Sequence, residues 1–371
     1  MPGRTRSTEP IRVAQVGTGN AGRLTLRQLV QDPRFELVAV GVSTADKVGI
    51  DAGELAGIDA TTGVRAVMDL QTVIDARPQC VVYCAMGDTR PVEATNDVRR
   101  LLEAGIDVVG SAPGTLQFPW GTMPDAVIEK VEAAARAGDA SVYITGVDPG
   151  FASDLIPLAL ASTCQRVEQV RCYELADYAT YDGAEVMFDL MGFGKPLDDT
   201  PLLFLPGVLG FAWGTAIRMI AEGLGITIDE VVEFWEAEPA PESYDIAAGR
   251  IEKGTIAALH FSITGMVAGH PAIVVEHVTR TRDDLRPDWA RPSSGGGAYR
   301  VEITGEPSFV VDIVPSSDHG DHNHAAIVAA CGRIVNSIPD VLAAPPGIRT
   351  TLDLPLPTGH GTYTGPVTPG R

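Results

Sequence analysis

An apolar run from Val13 to Val16 breaks at three glycines in "VGTGNAG" and resumes as Leu24, Leu26, Leu29 and Val30 before Pro33 stops it. A short continuous apolar run followed by apolar residues at helical spacing predicts strand, tight turn, helix. "FELVAVGVS" predicts a second strand. "QCVVYCAM" (Gln79 to Met86) reads as a buried strand, "PVEATNDVRRLLEAG" as a helix, "IDVVGSAP" as a strand, "MPDAVIEKVEAAARAG" as a helix and "ASVYITGVDPG" as a strand. Strands that are apolar throughout, separated by amphipathic helices, predict a parallel sheet covered on both faces. This places a doubly wound, Rossmann-type α/β domain over residues 10–150, with ligands expected at the carboxyl ends of its strands.

Past Phe151 the pattern changes. "SDLIPLALAS" is helical, "EQVRCYELADYATY" begins as a strand, and Leu209 to Glu236 predicts two helices parted by "GLGIT". Two hairpins follow, one turning near Ala268 to Pro271 and one at Thr304 to Pro307. Mainly antiparallel strands with helices set apart describe a second, α+β domain over 151–340. Residues 341–371 are expected to pack back or to be partly flexible. "RPDWARPSSGGGA" is a Pro, Ser and Gly-rich loop, either a lid or a plain surface excursion.

Composition narrows the function classes. The chain has 371 residues, 45% hydrophobic and 20% charged, with a formal net charge of −20 and no compensating basic block. That argues against a nucleic-acid or anionic-membrane surface, so any phosphate must be held by local groups. "MPGRTRSTEP" has no apolar core of a signal sequence and no run approaches a membrane span, which points to the cytoplasm. The five cysteines are odd in number and sit mostly in apolar segments, as reduced core cysteines do.

Gly17, Gly19 and Gly22 have the G-x-G-x-x-G spacing, between a predicted strand and a predicted helix. The first glycine permits the bend, the second lets the backbone approach a pyrophosphate, and the third packs helix against strand. Gly17, Thr18, Gly19, Asn20, Ala21 and Gly22 are therefore the expected phosphate cradle, with the helix N-terminus behind it. An ordinary βα connection is the plainer alternative, but the strand and helix context favours a dinucleotide. A carboxylate about twenty residues further on would favour NAD. Here that place holds Ser43, Thr44 and Lys47, which suit a 2′-phosphate and point to NADP, with NAD possible because Asp46 lies among them. Ala85 and Met86 end the next strand, and Ser111, Ala112 and Pro113 should pass beside a nicotinamide.

Hydride transfer also needs a polar group that orients or protonates the substrate. Candidates are Thr115, just past the fifth strand, and Asp148, at the end of the sixth, where Asp before Pro also simply caps turns. Glu174 and Tyr178 share a face of one strand-like segment, and His277 either faces a pocket or is a hydrogen-bonded core histidine. "SDHGDHNH" gathers three histidines and two aspartates, but its H-x-x-H-x-H spacing matches no structural zinc pattern. A loop capping a helix from about Asn323 accounts for it, so no metal is expected.

"VGTGNAGRLTLRQL", "KVGIDAGELAGI", "TGVDPGF", "MGFGKP" and "IVNSIPDVLAAPPGIRTTLDLP" together resemble the dihydrodipicolinate-reductase-like oxidoreductases that include 2,4-diaminopentanoate dehydrogenase and the native amine dehydrogenases. The resemblance implies a homodimer whose second domain covers the nicotinamide, reversible oxidative deamination of a small amine with NAD or NADP, and an approach of Asn336 to the cofactor. The amine-converting members carry a glutamate between the fifth strand and an aromatic-Pro pair. In "APGTLQFPW" Gly114 or Thr115 stands there, and threonine supplies no carboxylate to hold an ammonium. Either a carboxylate such as Glu174 reaches in, or the protein reduces activated carbonyls and preformed imines instead. A cofactor-bound sensor that has lost catalysis is the alternative of a different class.

Overall fold

The structure, a computed structural model, describes residues 9–87 and 89–363. Most of the polar N-terminal stretch and the last eight residues, on which part of the sequence reading fell, lie outside them. Two compact units are present. The first comprises 1–116, 129–146 and 330–371, and the second 117–128 and 147–329.

The first unit holds β1 (Ile11–Val16), α1 (Asn20–Gln31), β2 (Phe35–Gly41), α2 (Ala52–Ala56), β3 (Ala66–Val67), α3 (Leu70–Asp75), β4 (Cys80–Tyr83), α4 (Pro91–Glu103), β5 (Asp107–Gly110) and most of α5 (Asp125–Gly138), followed by β6 (Ser141–Ile144). Its seven strands run parallel in the order β15-β6-β5-β4-β1-β2-β3, where β15 is Gly347–Arg349. β4 and β6 are buried at every position, as a sheet covered on both faces requires. α4 starts with Pro91, whose missing N–H falls among donors that have no intrahelical partner, and buries Ala94, Val98, Leu101 and Leu102 along one stripe. Gly347 to Arg349 pair with Ser141 to Tyr143 at the sheet edge.

The second unit contains α6 (Leu155–Ala161), β7 (Arg166–Asp177), α7 (Val208–Leu224), β8 (Glu230–Pro239), β9 (Tyr244–Ile246), β10 (Gly249–Ile251), β11 (Ile256–Val267), β12 (His270–Arg280), β13 (Gly297–Glu306), β14 (Phe309–Ile313) and the first part of α8 (His322–Val341). Its six-stranded sheet has the order β14-β13-β7-β12-β11-β8, antiparallel except where β12 lies parallel to β7. The β11–β12 hairpin turns on Ala268 and Gly269, both with positive φ, the geometry that matches strand twist. α7, capped at its end by Gly225 in the left-handed region, packs on this sheet through Ile217 and Ile220.

Two expectations are corrected. "EVVEFWEAEP" is the edge strand β8, not a helix. Its β-branched and aromatic residues alternate between more and less exposed positions and pair with β11. The expected 151–340 domain also differs from the observed units: 330–340, the end of α8, belongs with the first, where Ile334, Val335 and Ile338 join Val13, Val82 and Tyr143 in one core. The "RPDWARPSSGGGA" loop is pinned. Arg280 donates to the carbonyls of Leu285, Arg286 and Ala290, and Trp289 is buried. Among the described residues no helix is long and apolar enough to cross a membrane.

Candidate active site

The glycine turn sits at the carboxyl end of β1. Gly17 has φ +92°, and a Cβ there would meet the backbone of Cys84 and Ala85 at 2.5 Å; one on Gly22 would meet the Gly17 carbonyl at 2.2 Å. A Cβ on Gly19 would meet nothing within 4 Å. The first and third glycines are thus required by the fold, whereas the second borders open space above the α1 N-terminus, which no side chain caps and no acidic residue occupies. A helix start left open in this way could hold a phosphate. Gln15, missed in the sequence reading, holds the turn from below. Wholly buried, it donates to the Gly17 carbonyl (2.9 Å) and accepts from Thr25 Oγ1 (3.0 Å). A glutamine inside an apolar strand was the available signal.

A cavity of about 290 Å³ adjoins the turn, lined by Val16, Gly17, Val42, Ser43, Ala85 and Met86 among others. Lys47 does not line it; its Nζ donates to Thr18 O and Oγ1, both at 3.3 Å. Thr44 donates to Asp46 and helps hold that carboxyl below its ordinary pKa. Ser111, Ala112 and Pro113 follow β5 beside the end of β4. Ser111 N donates to Tyr83 O, and a Cβ on Gly87 would strike Ala112 Cβ. Thr115 is in the turn that follows, 5% exposed, its Oγ1 without a hydrogen-bond partner among the described residues. Asn336 is placed elsewhere in the same unit. Its Oδ1 accepts from Arg34, which precedes β2 and is paired with Asp32. That is the amino-terminal edge of the sheet, opposite the glycine turn.

In the second unit, strand register assembles a row. Phe261 on β11 pairs with His277 on β12, His277 with Glu174 on β7, and Glu174 with Tyr299 on β13, so all four side chains share one face. Asp148 comes to this row from the "TGVDPG" loop. Its Oδ2 lies 3.1 Å from His277 Nε2, close enough for the two to interact through charge. Both side chains are 3% exposed, and Asp148 Oδ1 has no hydrogen-bond partner among the described residues. Ligand atoms of Asp148, Glu174 and His277 lie within 4.8 Å of one another. Tyr178 donates its phenol to Glu174 Oε1. Phe261 stacks on the His277 ring at 4.6 Å, and Trp213 meets it edge-on at the same distance. Trp213 and Tyr299 were not anticipated. Tyr299 lies within the apolar–polar alternation of "AYRVEIT", and its match to Glu174 requires the register.

Electrostatics follows from this packing. Burial and the Asp148 charge raise the Glu174 carboxyl above its ordinary pKa, against the pull of His277 and the Tyr178 hydrogen bond. Burial disfavours the His277 cation, but the Asp148 and Glu174 carboxylates outweigh it and raise its pKa. Burial beside Glu174 drives the Tyr178 phenol well up. "SDHGDHNH" supports this site without lying in the acidic cluster. His322 Nε2 (2.7 Å) and Asn323 Nδ2 (3.0 Å) both donate to the Asp177 carbonyl at the end of β7. Asp148, Glu174, Tyr178 and His277 are therefore brought together, and Thr115 lies in the other unit.

A doubly wound unit with a glycine turn open at its helix start, joined in sequence to a mixed-sheet unit bearing a buried acid–histidine row, has the architecture of a two-domain oxidoreductase. Residues 151–363 match the 2,4-diaminopentanoate dehydrogenase C-terminal domain. An amine dehydrogenase of Streptomyces virginiae is 38% identical over 342 residues, 92% of this chain and 95% of that one. The 2,4-diaminopentanoate dehydrogenase of Acetoanaerobium sticklandii is 24% identical over 94% of each chain. The solved structure of amine dehydrogenase from Mycobacterium smegmatis has the same fold, with a TM-score of 0.77 at 20% identity, covering 95% of this chain and 98% of that one. The chain belongs to the family of 2,4-diaminopentanoate dehydrogenase and the amine dehydrogenases, and is an oxidoreductase.

Proposed function

We propose that the protein oxidises a small primary amine to its carbonyl compound with a nicotinamide dinucleotide, reversibly, and that it prefers NADP. The amine carbon gives up a hydride and its nitrogen a proton. Water then converts the imine to a carbonyl compound and ammonia. The dinucleotide supplies the hydride acceptor when bound, and the Gly17–Gly22 turn with its open space at Gly19 supports its placement.

The observation that carries the amine reading is the charge of the buried row. With Glu174 ionised and His277 protonated, Asp148, Glu174 and His277 sum to −1, and Asp148 Oδ1 has no donor among the described residues. A substrate ammonium would neutralise the cluster and satisfy that oxygen, the compensation a buried charge requires. Glu174, its pKa raised by burial, would then take the ammonium proton, while Tyr178 holds its carboxylate in place. Asp148 and Glu174 would thus supply the carboxylate that neither Gly114 nor Thr115 can. We also infer a homodimer, supported by exposed Val232, Phe234 and Val310 on the opposite face of the same sheet. A cytoplasmic setting is supported by five cysteines, all free thiols.

The test is a panel of small ketones and aldehydes with reduced dinucleotide, with and without ammonia, and the corresponding amines with oxidised dinucleotide. Ammonia-dependent consumption and amine-dependent formation of reduced dinucleotide are expected. Carbonyl reduction indifferent to ammonia would overturn the amine reading.

A further inference from the structure

The 2′-phosphate reading drawn from Ser43, Thr44 and Lys47 meets a difficulty: Lys47 is bonded to Thr18, Thr44 to Asp46, and only Ser43 lines the cavity beside the glycine turn. A different cation is at that cavity. Arg90, the residue before α4, lines it together with Ser43. Its charge is felt at the Tyr83 phenol, which also lines the cavity. Among the described residues Arg90 makes no ion pair, whereas Arg12, Arg34, Arg99, Arg171 and Arg300 each have a carboxylate. Cavity size is near the lower end of the roughly 300–1,000 Å³ of small-molecule sites, which suits a nucleoside end more than a whole dinucleotide.

We propose that Arg90, with Ser43, is the cofactor-selecting pair, binding the adenosine 2′-phosphate of NADP at this cavity while Lys47 stiffens the glycine turn. The inference rests on the dinucleotide reading above. A guanidinium offers a phosphate two parallel N–H donors at fixed geometry, and Ser43 adds a hydroxyl. Two carboxylates, Glu93 and Asp97, line the same cavity. Asp97 accepts the Tyr83 phenol at 3.0 Å, and Glu93 is on the first turn of α4, where the helix dipole favours an acid. Both oppose a bound phosphate, and Arg90 is the cation among the lining residues that offsets them in part.

Equilibrium binding of NADPH and NADH to the full chain, read by ligand fluorescence, separates the possibilities, with circular dichroism as the check on folding. Arg90→Ala should weaken NADPH roughly tenfold to a hundredfold, the range for hydrogen bonds to a charged group, and leave NADH within about twofold. Arg90→Lys should recover part of the loss, and Glu93→Gln should tighten NADPH but not NADH. Competition by 2′-AMP, but not 5′-AMP, should weaken in Arg90→Ala. Equal losses for both dinucleotides, no loss for either, or a selective loss in Lys47→Ala alone would overturn the assignment. Failure of the unaltered protein to bind either dinucleotide would instead sink the cofactor reading on which it rests.

Discussion

The glycine turn and the acid–histidine row encode their geometry in opposite ways. The turn lies within a single βα unit, Val16 through α1: Gly22 is fixed by the Gly17 carbonyl inside that unit, and Gly17 by its own positive φ and by the Cys84 and Ala85 backbone at the end of the neighbouring strand. The row takes Asp148 from a loop and Glu174, His277 and Tyr299 from three strands, and exists only because β12 lies parallel and β13 antiparallel to β7 in one register. A shift of one residue in either pairing would move a member to the other face. Local motifs announce a dinucleotide turn, whereas the groups proposed to meet the substrate are distributed over the topology.

The largest expected effect breaks the turn and spares the row. Gly19→Val adds side chain only to open space, so the protein should fold with an unchanged melting temperature and lose dinucleotide binding entirely. Gly22→Val, which drives a Cβ into the Gly17 carbonyl, should lose fold and binding together. Calorimetry with a binding titration distinguishes the two, and equal behaviour would remove the division of labour among the glycines.

The next breaks the row and spares the turn. Asp148→Asn removes the charge opposite His277 and should raise KM for the amine roughly tenfold to a hundredfold, the worth of a charged hydrogen bond, without changing the dinucleotide Kd. A parallel loss of dinucleotide affinity would mean that Asp148 is not specific to the substrate.

Much of the first unit was legible in sequence because strands buried on both faces and amphipathic helices carry distinct periods, and because glycines punctuate them. The second unit was legible as hairpins, with turn chemistry at Ala268–Gly269, but β8 was not. "EVVEFWEAEP" carries charges at spacings a helix tolerates, and only its pairing with β11 makes it a strand. His277 in "IVVEHVTR" reads first as a hydrogen-bonded core histidine and only second as a pocket one, since the sequence does not reveal which carboxylates surround it. Asn336 shows a limit of motif reading: its bond to Arg34, itself paired with Asp32, depends on tertiary packing that the motif does not encode.

A smaller effect concerns pH. Because the folded His277 pKa is raised above 6.5, the native state retains a proton that the unfolded chain releases. Its contribution is fully present below pH 6.5 and is lost as pH rises through the folded value. The slope is at most about 1.4 kcal/mol per pH unit. Denaturant titrations over that window should show stability falling with pH, and His277→Gln should flatten the fall. A slope unchanged by the substitution would place the charge elsewhere.

Smallest is Tyr178→Phe, which removes one hydrogen bond to Glu174 and should cost roughly twofold to tenfold in kcat/KM for the amine, with the fold unaltered.

The central claim, that the buried row supplies the carboxylate that Gly114 or Thr115 does not, is tested most directly by comparing amine oxidation in Glu174→Gln and Thr115→Val, each normalised to its dinucleotide Kd. The account predicts that kcat/KM falls on the order of a hundredfold to ten-thousandfold in Glu174→Gln, as for loss of a proton-accepting group. Thr115→Val, whose hydroxyl has no hydrogen-bond partner among the described residues, should stay within roughly tenfold. A near-normal Glu174→Gln alongside an inactive Thr115→Val would contradict it.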